Sequence, residues 1–326
     1  MRGGHDGPAL VAISQRERVI TTATEGPPPP GHVVVRTRLS DVSPGTDRSV
    51  LRNAFGWQDA GYPCVPGYQS VGEVIAVGAD VAISVGQRVA AFVATRTEPP
   101  WSRWGGHSAV SSHAATQVLA LPGAISDLDG ALLITTQVGV NAAYRITGAI
   151  QGLVVVYGDG LIGAAAALAA RNRGFDVVVV GHHPERLEPI LDGDRLRVVD
   201  NTHRAPSAGA LGAPVCAVID TVQRREVQQE YLSWLRRGEG QVIYSGHAGD
   251  RDCWADLGAL QQEEITVNFI AGWNDPRLAL TTRLVVDGLT MASVVGDVVP
   301  YRQAPALTDD LISGRWRPLS ALIDWR

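Results

Sequence analysis

Between residues 153 and 172 an apolar run ending in Val154-Val155-Val156-Tyr157 leads into Gly158-Asp159-Gly160-Leu161-Ile162-Gly163, and an alanine-rich stretch follows at once. Glycines spaced G-x-G-x-x-G between a strand-forming and a helix-forming run are what a dinucleotide pyrophosphate requires. Gly158 permits the tight turn, Gly160 lets the backbone approach the phosphates, and Gly163 lets the helix pack closely on the strand. The helix that follows from Ile162 offers its unpaired N–H groups and positive dipole end to an anion, with Asp159 and Leu161 inside the turn. With 36 glycines in 326 residues, the bare pattern arises by chance about 0.4 times, so the flanking strand and helix carry the reading. The alternative is a glycine turn with no ligand.

About 20 residues beyond such a turn, a chain that prefers NAD carries an acid for the ribose hydroxyls. Here four valines run into Gly181-His182-His183-Pro184-Glu185-Arg186, with no acid at the strand end. Gly181 leaves room there, and His182, His183 and Arg186 supply donors suited to a 2′-phosphate, so NADP(H) is expected in preference to NAD(H). The alternative makes the histidines exposed turn residues and pairs Arg186 within its own helix.

The elements that must position this turn follow from the patterning. Short apolar runs at 152–157, 176–180, 215–219, 241–245 and 265–270 are predicted strands, with helices at 162–173, 184–191 and 225–236 between them. Strands alternating with helices build a parallel sheet. Before it, residues 127–146 form a mostly apolar stretch of helical length. The first part of the chain is different: predicted strands at 32–38, 71–77, 88–93 and 116–121 are separated by glycines and prolines, which reads as a compact β-rich domain. From residue 272 the tail reads as a short helix, a strand and a helix, ending in the apolar stretch 319–325.

At about 150 residues per domain, 326 residues suggest two domains. A net charge of −5, from 28 basic and 33 acidic residues, gives no footprint of nucleic-acid binding. Every basic residue is arginine, so Schiff-base catalysis and a P-loop lysine are excluded. Cys64, Cys216 and Cys253 are odd in number and far apart, and no disulfide framework is expected. No run approaches the roughly 18 apolar residues of a membrane span, and the first residues lack a signal-peptide pattern. A cytoplasmic protein with a small-molecule substrate, no membrane partner and no nucleic acid is expected.

From about Pro27 onward the chain resembles the medium-chain dehydrogenase/reductase superfamily. Six segments match in order: Pro30-Gly31-His32-Val33-Val34-Val35-Arg36, Ser43-Pro44-Gly45-Thr46-Asp47, Val65-Pro66-Gly67-Tyr68-Gln69-Ser70-Val71-Gly72-Glu73-Val74, Val85-Gly86-Gln87-Arg88-Val89, Gly105-Gly106-His107-Ser108 and the glycine turn. The Gly61–Tyr68 segment and the tail Asp324-Trp325-Arg326 resemble the bacteriochlorophyllide dehydrogenase branch. The resemblance implies an α/β fold: a GroES-like β-rich catalytic domain from 1–134 and 272–326, and a Rossmann domain with a doubly wound parallel sheet from 135–271. It also implies an active cleft at their junction and a homodimer paired through the apolar strand at 265–270.

At the superfamily's zinc-ligand positions this chain carries Pro44 and Tyr68, with Gln69 where a glutamate is usual. The third region, 132–140, has no cysteine, histidine or carboxylate. Catalytic zinc takes about three protein N, S or O ligands, and a structural zinc lobe takes four cysteines where this chain has three, so no metal is expected. Hydrogen-bond donors must then stabilise the developing alkoxide. Thr46 stands at the superfamily's proton-relay position and Tyr68 puts a phenol where a metal ligand would be; the alternative makes Tyr68 a space filler. Gln69, Asp47 and Ser49 are orienting candidates, Asp47 equally a turn or cap residue. Gln137, with Thr135 and Thr136, lies where relatives pass the nicotinamide, or is an interior residue bonded to backbone. Trp57, Trp101, Trp104 and Trp273 fall in loops that edge the substrate cleft of relatives, while Cys64 and His107 read as structural. The expected reaction is zinc-independent hydride transfer to or from a carbonyl or secondary alcohol in a biosynthetic pathway. The alternatives are reduction of a conjugated C=C bond and a non-catalytic nucleotide-binding homologue.

Overall fold

The computed structural model of the protein describes residues 4–54, 61–96, 100–148, 152–193, 195–203, 206–246, 255–316 and 318–326. It divides into two compact units, one made of Met1–Leu133 with Val295–Arg326 and the other of Ile134–Val294. The second crossing thus falls later than the 271/272 position expected from the sequence, because helix and turn residues 272–294 group with the parallel sheet.

The first unit contains β1 (His5–Ala12), β2 (Arg18–Glu25), β3 (His32–Val42), α1 (Pro44–Leu51), β4 (Cys64–Val65), β5 (Gln69–Val77), β6 (Arg88–Phe92), β7 (Trp101–Ser102), β8 (Val110–Ala114), β9 (Val118–Ala120) and α2 (Asp127–Ala131). A four-stranded sheet runs β2-β1-β4-β7. A seven-stranded sheet runs β16-β17-β3-β5-β6-β9 with β8 also on β3, its strands β16 (Val295–Pro300) and β17 (Ser320–Asp324) coming from the far end of the chain. β17 pairs antiparallel with β3 from Ala321 opposite Val42 to Asp324 opposite Leu39. Helix α8 (Ala304–Ser313) contributes Ala304 and Leu311 to the core that holds Leu10, Val34, Leu51 and Trp325.

The second unit takes all but the first residue of α3 (Leu133–Tyr144), and continues with β10 (Leu153–Tyr157), α4 (Leu161–Asn172), β11 (Asp176–Gly181), β12 (Leu196–Asp200), β13 (Val215–Asp220), α5 (Arg225–Leu232), β14 (Gln241–Tyr244), α6 (Leu257–Gln262), β15 (Thr266–Phe269) and α7 (Asp275–Val286). Its sheet order is β12-β11-β10-β13-β14-β15 with every neighbour parallel. In chain order this is 3-2-1-4-5-6, the doubly wound order that opens a crevice at the carboxyl ends of its first and fourth strands. The cores of the four inner strands β10, β11, β13 and β14 are fully buried and built chiefly of valine and isoleucine, as the interior of a sheet covered on both faces demands, while the edge strands β12 and β15 are partly exposed.

Two local expectations change. The stretch at 127–146 is two helices, α2 and α3, separated at Leu132. Residues 184–190 are a 3₁₀ helix rather than an α-helix; Pro189 within it cannot donate an α-helical hydrogen bond.

Candidate functional site

In the second unit, β10 ends at the buried Tyr157 and Gly158 reverses the chain with φ of +114°, a region that glycine adopts without a Cβ clash. A Cβ on Gly158 would overlap the Thr221 hydroxyl, and one on Gly163 would overlap the Gly158 carbonyl oxygen. The turn therefore depends on both glycines, while Gly160 faces open space. Gly160 is the N-cap of α4 with no side-chain cap, so the N–H groups of Leu161, Ile162 and their neighbours are left for an external acceptor. Alanines 164–167, 169 and 170 are buried. Their small size sets α4 close to the sheet and the cradle close to the crevice floor.

Asp159 does not point into open solvent. Its Oδ2 accepts the His183 backbone N–H, and its carboxyl lies where a Cβ on Gly181 would be. The room expected at Gly181 is thus filled by a carboxylate. His182 and His183 are exposed and Arg186 half-buried; His183 Nδ1 is 3.3 Å from Glu185 Oε1.

Gln137, on α3, is fully buried, and neither its Nε2 nor its Oε1 has a hydrogen-bond partner. Asn141, one turn along, has an unpartnered Nδ2. A buried amide that leaves both a donor and an acceptor unused costs about 1–3 kcal/mol for each orphaned group. The backbone bonding allowed for in the sequence reading is not found. Thr135 and Thr136 are buried on the same helix. Gly139 brings α3 against Ala165 of α4, where any Cβ would clash with backbone.

In the first unit, Tyr68 is 7% exposed and meets Trp104 edge-to-face at 6.3 Å. The next residue, Gln69, is fully buried and donates from Nε2 to Asp41 Oδ2 at 2.7 Å, while the Ser320 hydroxyl donates to Asp41 Oδ1. Burial pushes the Asp41 carboxyl up to about 8, nearby Asp47 adds to the rise, and the Ser320 and Gln69 hydrogen bonds offset part of it. Asp47 is also fully buried. Its Oδ2 accepts the Ser43 N–H at 2.8 Å, closing the first turn of α1, and stands 3.6 Å from His107 Nε2. His107 Nδ1 is 2.9 Å from Ser40 Oγ, which accepts the indole N–H of Trp325 at 2.9 Å. A Cβ on Gly67 would meet the His107 ring at 2.7 Å, so the missing side chain lets this ring pack beneath the turn that carries Tyr68. Asp47 is thus a cap as well as a neighbour of His107, and His107 is interior.

Thr46 and Ser49 are half-buried on α1. The Ser49 hydroxyl donates to the Gly45 carbonyl at 3.0 Å, a local helix contact. Cys64 is buried and its thiol is pushed up to about 11 by burial, which suits a packing role. Trp57 and Cys253 lie outside the described residues. The sequence reading missed Ser40, Asp41 and Ser320; the signal available was a polar Ser-Asp pair between the apolar Leu39 and Val42 at the end of β3.

Residues 29–156 match the alcohol dehydrogenase GroES-like domain. The 2-desacetyl-2-hydroxyethyl bacteriochlorophyllide A dehydrogenase of Rhodobacter capsulatus is 33% identical over 327 residues, covering 97% of this chain and 98% of the relative. That of Cereibacter sphaeroides is 25% identical over 344 residues, covering 98% of each. An Escherichia coli CFT073 alcohol dehydrogenase solved with NADH superposes with a TM-score of 0.82 at 17% identity, covering 98% of this chain and 99% of that one.

The chain belongs to the medium-chain dehydrogenase/reductase superfamily and is an oxidoreductase of that type. The cradle residues fit a dinucleotide: two glycines whose Cβ atoms would clash, an uncapped helix start, and a buried amide without partners. The zinc positions do not fit a metal. Pro44 has no donor and Tyr68 offers a phenol, and among the described residues no three His, Cys, Asp or Glu side chains gather as ligands.

Proposed function

We propose that the protein transfers hydride between a nicotinamide dinucleotide and a carbonyl or secondary alcohol of a small or aromatic metabolite, without zinc, in a biosynthetic pathway. The observation that carries this reading is the uncapped start of α4 behind Gly158, Gly160 and Gly163. When bound, the nicotinamide supplies or accepts the hydride. The N–H groups of Gly160, Leu161, Ile162 and Gly163 would hold the pyrophosphate, and Gln137 would offer a donor and an acceptor, the complement of a carboxamide.

Tyr68 is proposed to donate its phenolic proton to the substrate oxygen as the alkoxide forms, and to receive it back in the reverse direction. Gln69, held by Asp41, fixes the start of β5 behind it, and Asp47 fixes the α1 turn that presents Thr46 as the hydroxyl of a proton relay. The edge-to-face Trp104 gives the phenol an aromatic neighbour suited to a flat substrate, and the hydroxyethyl tetrapyrroles named for the curated relatives are one such class.

We further propose a homodimer through β15, an edge strand whose Phe269 is 69% exposed, and action in the cytoplasm. Among the described residues no helix is long and apolar enough to cross a membrane. Sedimentation as a monomer at micromolar concentration would reject the dimer, and fractionation with the periplasm would reject the location.

The test is a panel of ketones, secondary alcohols and enones with NAD(H) and NADP(H), followed at 340 nm with and without a chelator. Turnover of a ketone or alcohol that the chelator does not diminish is the expected result. Turnover confined to enones would replace carbonyl chemistry with C=C reduction, and absence of dinucleotide binding would reject the reading.

A further inference from the structure

The strand end that decides between NAD(H) and NADP(H) has no acid of its own, and the sequence expectation of NADP(H) rests on that gap. In the structure the gap is filled from another segment. A residue with a side chain at position 181 would place its Cβ where the Asp159 carboxyl now stands, and the His183 N–H holds the carboxyl there. The glycine is what admits it, because any larger residue at 181 would displace Asp159.

Building on the dinucleotide reading above, we infer that Asp159 is the residue that sets cofactor specificity: reaching from the glycine turn over Gly181, it supplies the carboxylate for the adenosine ribose hydroxyls and selects NAD(H) against NADP(H). A carboxylate at this place accepts hydrogen bonds from a 2′-hydroxyl and repels a 2′-phosphate. The surrounding groups support the same sign. Glu185 stands 3.3 Å from the His183 imidazole and engages it, and exposed Asp200, paired in register with Gly181, adds a second acid at the strand ends. The Asp200 carboxyl is held below its ordinary value by Thr202 and, to a lesser degree, by His203 and His182, so those imidazoles already face an anion. Against these acids stands the guanidinium of half-buried Arg186. This reverses the NADP(H) preference expected from sequence.

The test is equilibrium binding of NADH and NADPH, by calorimetry or tryptophan quenching, to the wild-type protein and to Asp159→Asn and Asp159→Ser. The asparagine variant keeps an oxygen for the His183 N–H and removes the charge; the serine variant removes the charge with a smaller side chain. The wild-type protein is expected to bind NADH at least about tenfold tighter than NADPH. Either variant should narrow that ratio about tenfold, chiefly by tighter NADPH binding, and added salt should narrow it in the wild type. A wild-type preference for NADPH, or a ratio unchanged in both variants, including equal loss of both ligands, overturns the assignment while leaving the dinucleotide reading intact. Failure of the wild-type protein to bind either dinucleotide overturns both.

Discussion

Asp41 makes the stability of the first unit depend on pH, and Asp41→Asn isolates the effect. The carboxyl is fully buried between β17 and β5, accepts from Gln69 and Ser320, and titrates at about 8 against an ordinary value of 3.8. An acid whose value rises on folding holds its proton more tightly in the native state. Its contribution is therefore most favourable below pH 3.8, declines as pH rises, and levels off above about 8. At about 1.36 kcal/mol per pH unit, the interval corresponds to a loss on the order of 5 kcal/mol. The asparagine variant keeps an oxygen for Gln69 and an N–H for Ser320 and does not titrate. Urea unfolding of both proteins at half-unit steps from pH 5 to pH 8.5 should show the variant gaining on the wild type by about 1 kcal/mol per pH unit up to pH 8. A difference that stays constant with pH, or that shrinks as pH rises, would refute the claim that Asp41 is buried as a neutral acid.

Three further outcomes follow from the two units. Gln137→Leu removes two orphaned amide atoms, so at about 1–3 kcal/mol each the ligand-free protein should be more stable by up to about 2–6 kcal/mol while dinucleotide affinity falls about tenfold; melting curves with and without NADH read both, and loss of stability would show that the amide is satisfied. Gly163→Ala drives a methyl into the Gly158 carbonyl and should cost about 1–3 kcal/mol of stability and most dinucleotide binding; calorimetry showing wild-type affinity would reject the cradle. Tyr68→Phe keeps the contact with Trp104 and removes the hydroxyl, so kcat should fall about 100-fold with the dinucleotide Kd unchanged; unchanged kcat would reject the proton-donor role.

The parallel sheet was legible because its inner strands are buried on both faces and appear as short valine- and isoleucine-rich runs, those of β10 and β11 leading directly into glycine. The turn was legible because strand, glycines and helix are contiguous. What sequence could not give depends on partners distant in the chain. Asp41 looks like an ordinary strand-end acid until Ser320, 279 residues away, is brought beside it. Gly181 looks like an open position until Asp159 is seen to occupy it. β12 was missed because its five residues, Leu-Arg-Val-Val-Asp, carry charges at two of five places and form the exposed edge of the sheet. The 3₁₀ helix at 184–190 was misread because helical length and leucine spacing outweighed two prolines.

The way β17 is inserted between β16 and β3 bears on how the protein is made. Ile134–Val294 is continuous and can fold as it leaves the ribosome, but the seven-stranded sheet lacks an interior member until residues 320–324 emerge. At about 5–20 residues per second, the Leu39–Val42 end of β3, beyond its pairing with β8, waits roughly 15–60 s for β17, and the Asp41 carboxyl waits for its serine. A chain lacking residues 320–324 would therefore leave Leu39–Val42 of β3 and the inner edge of β16 without their shared neighbour.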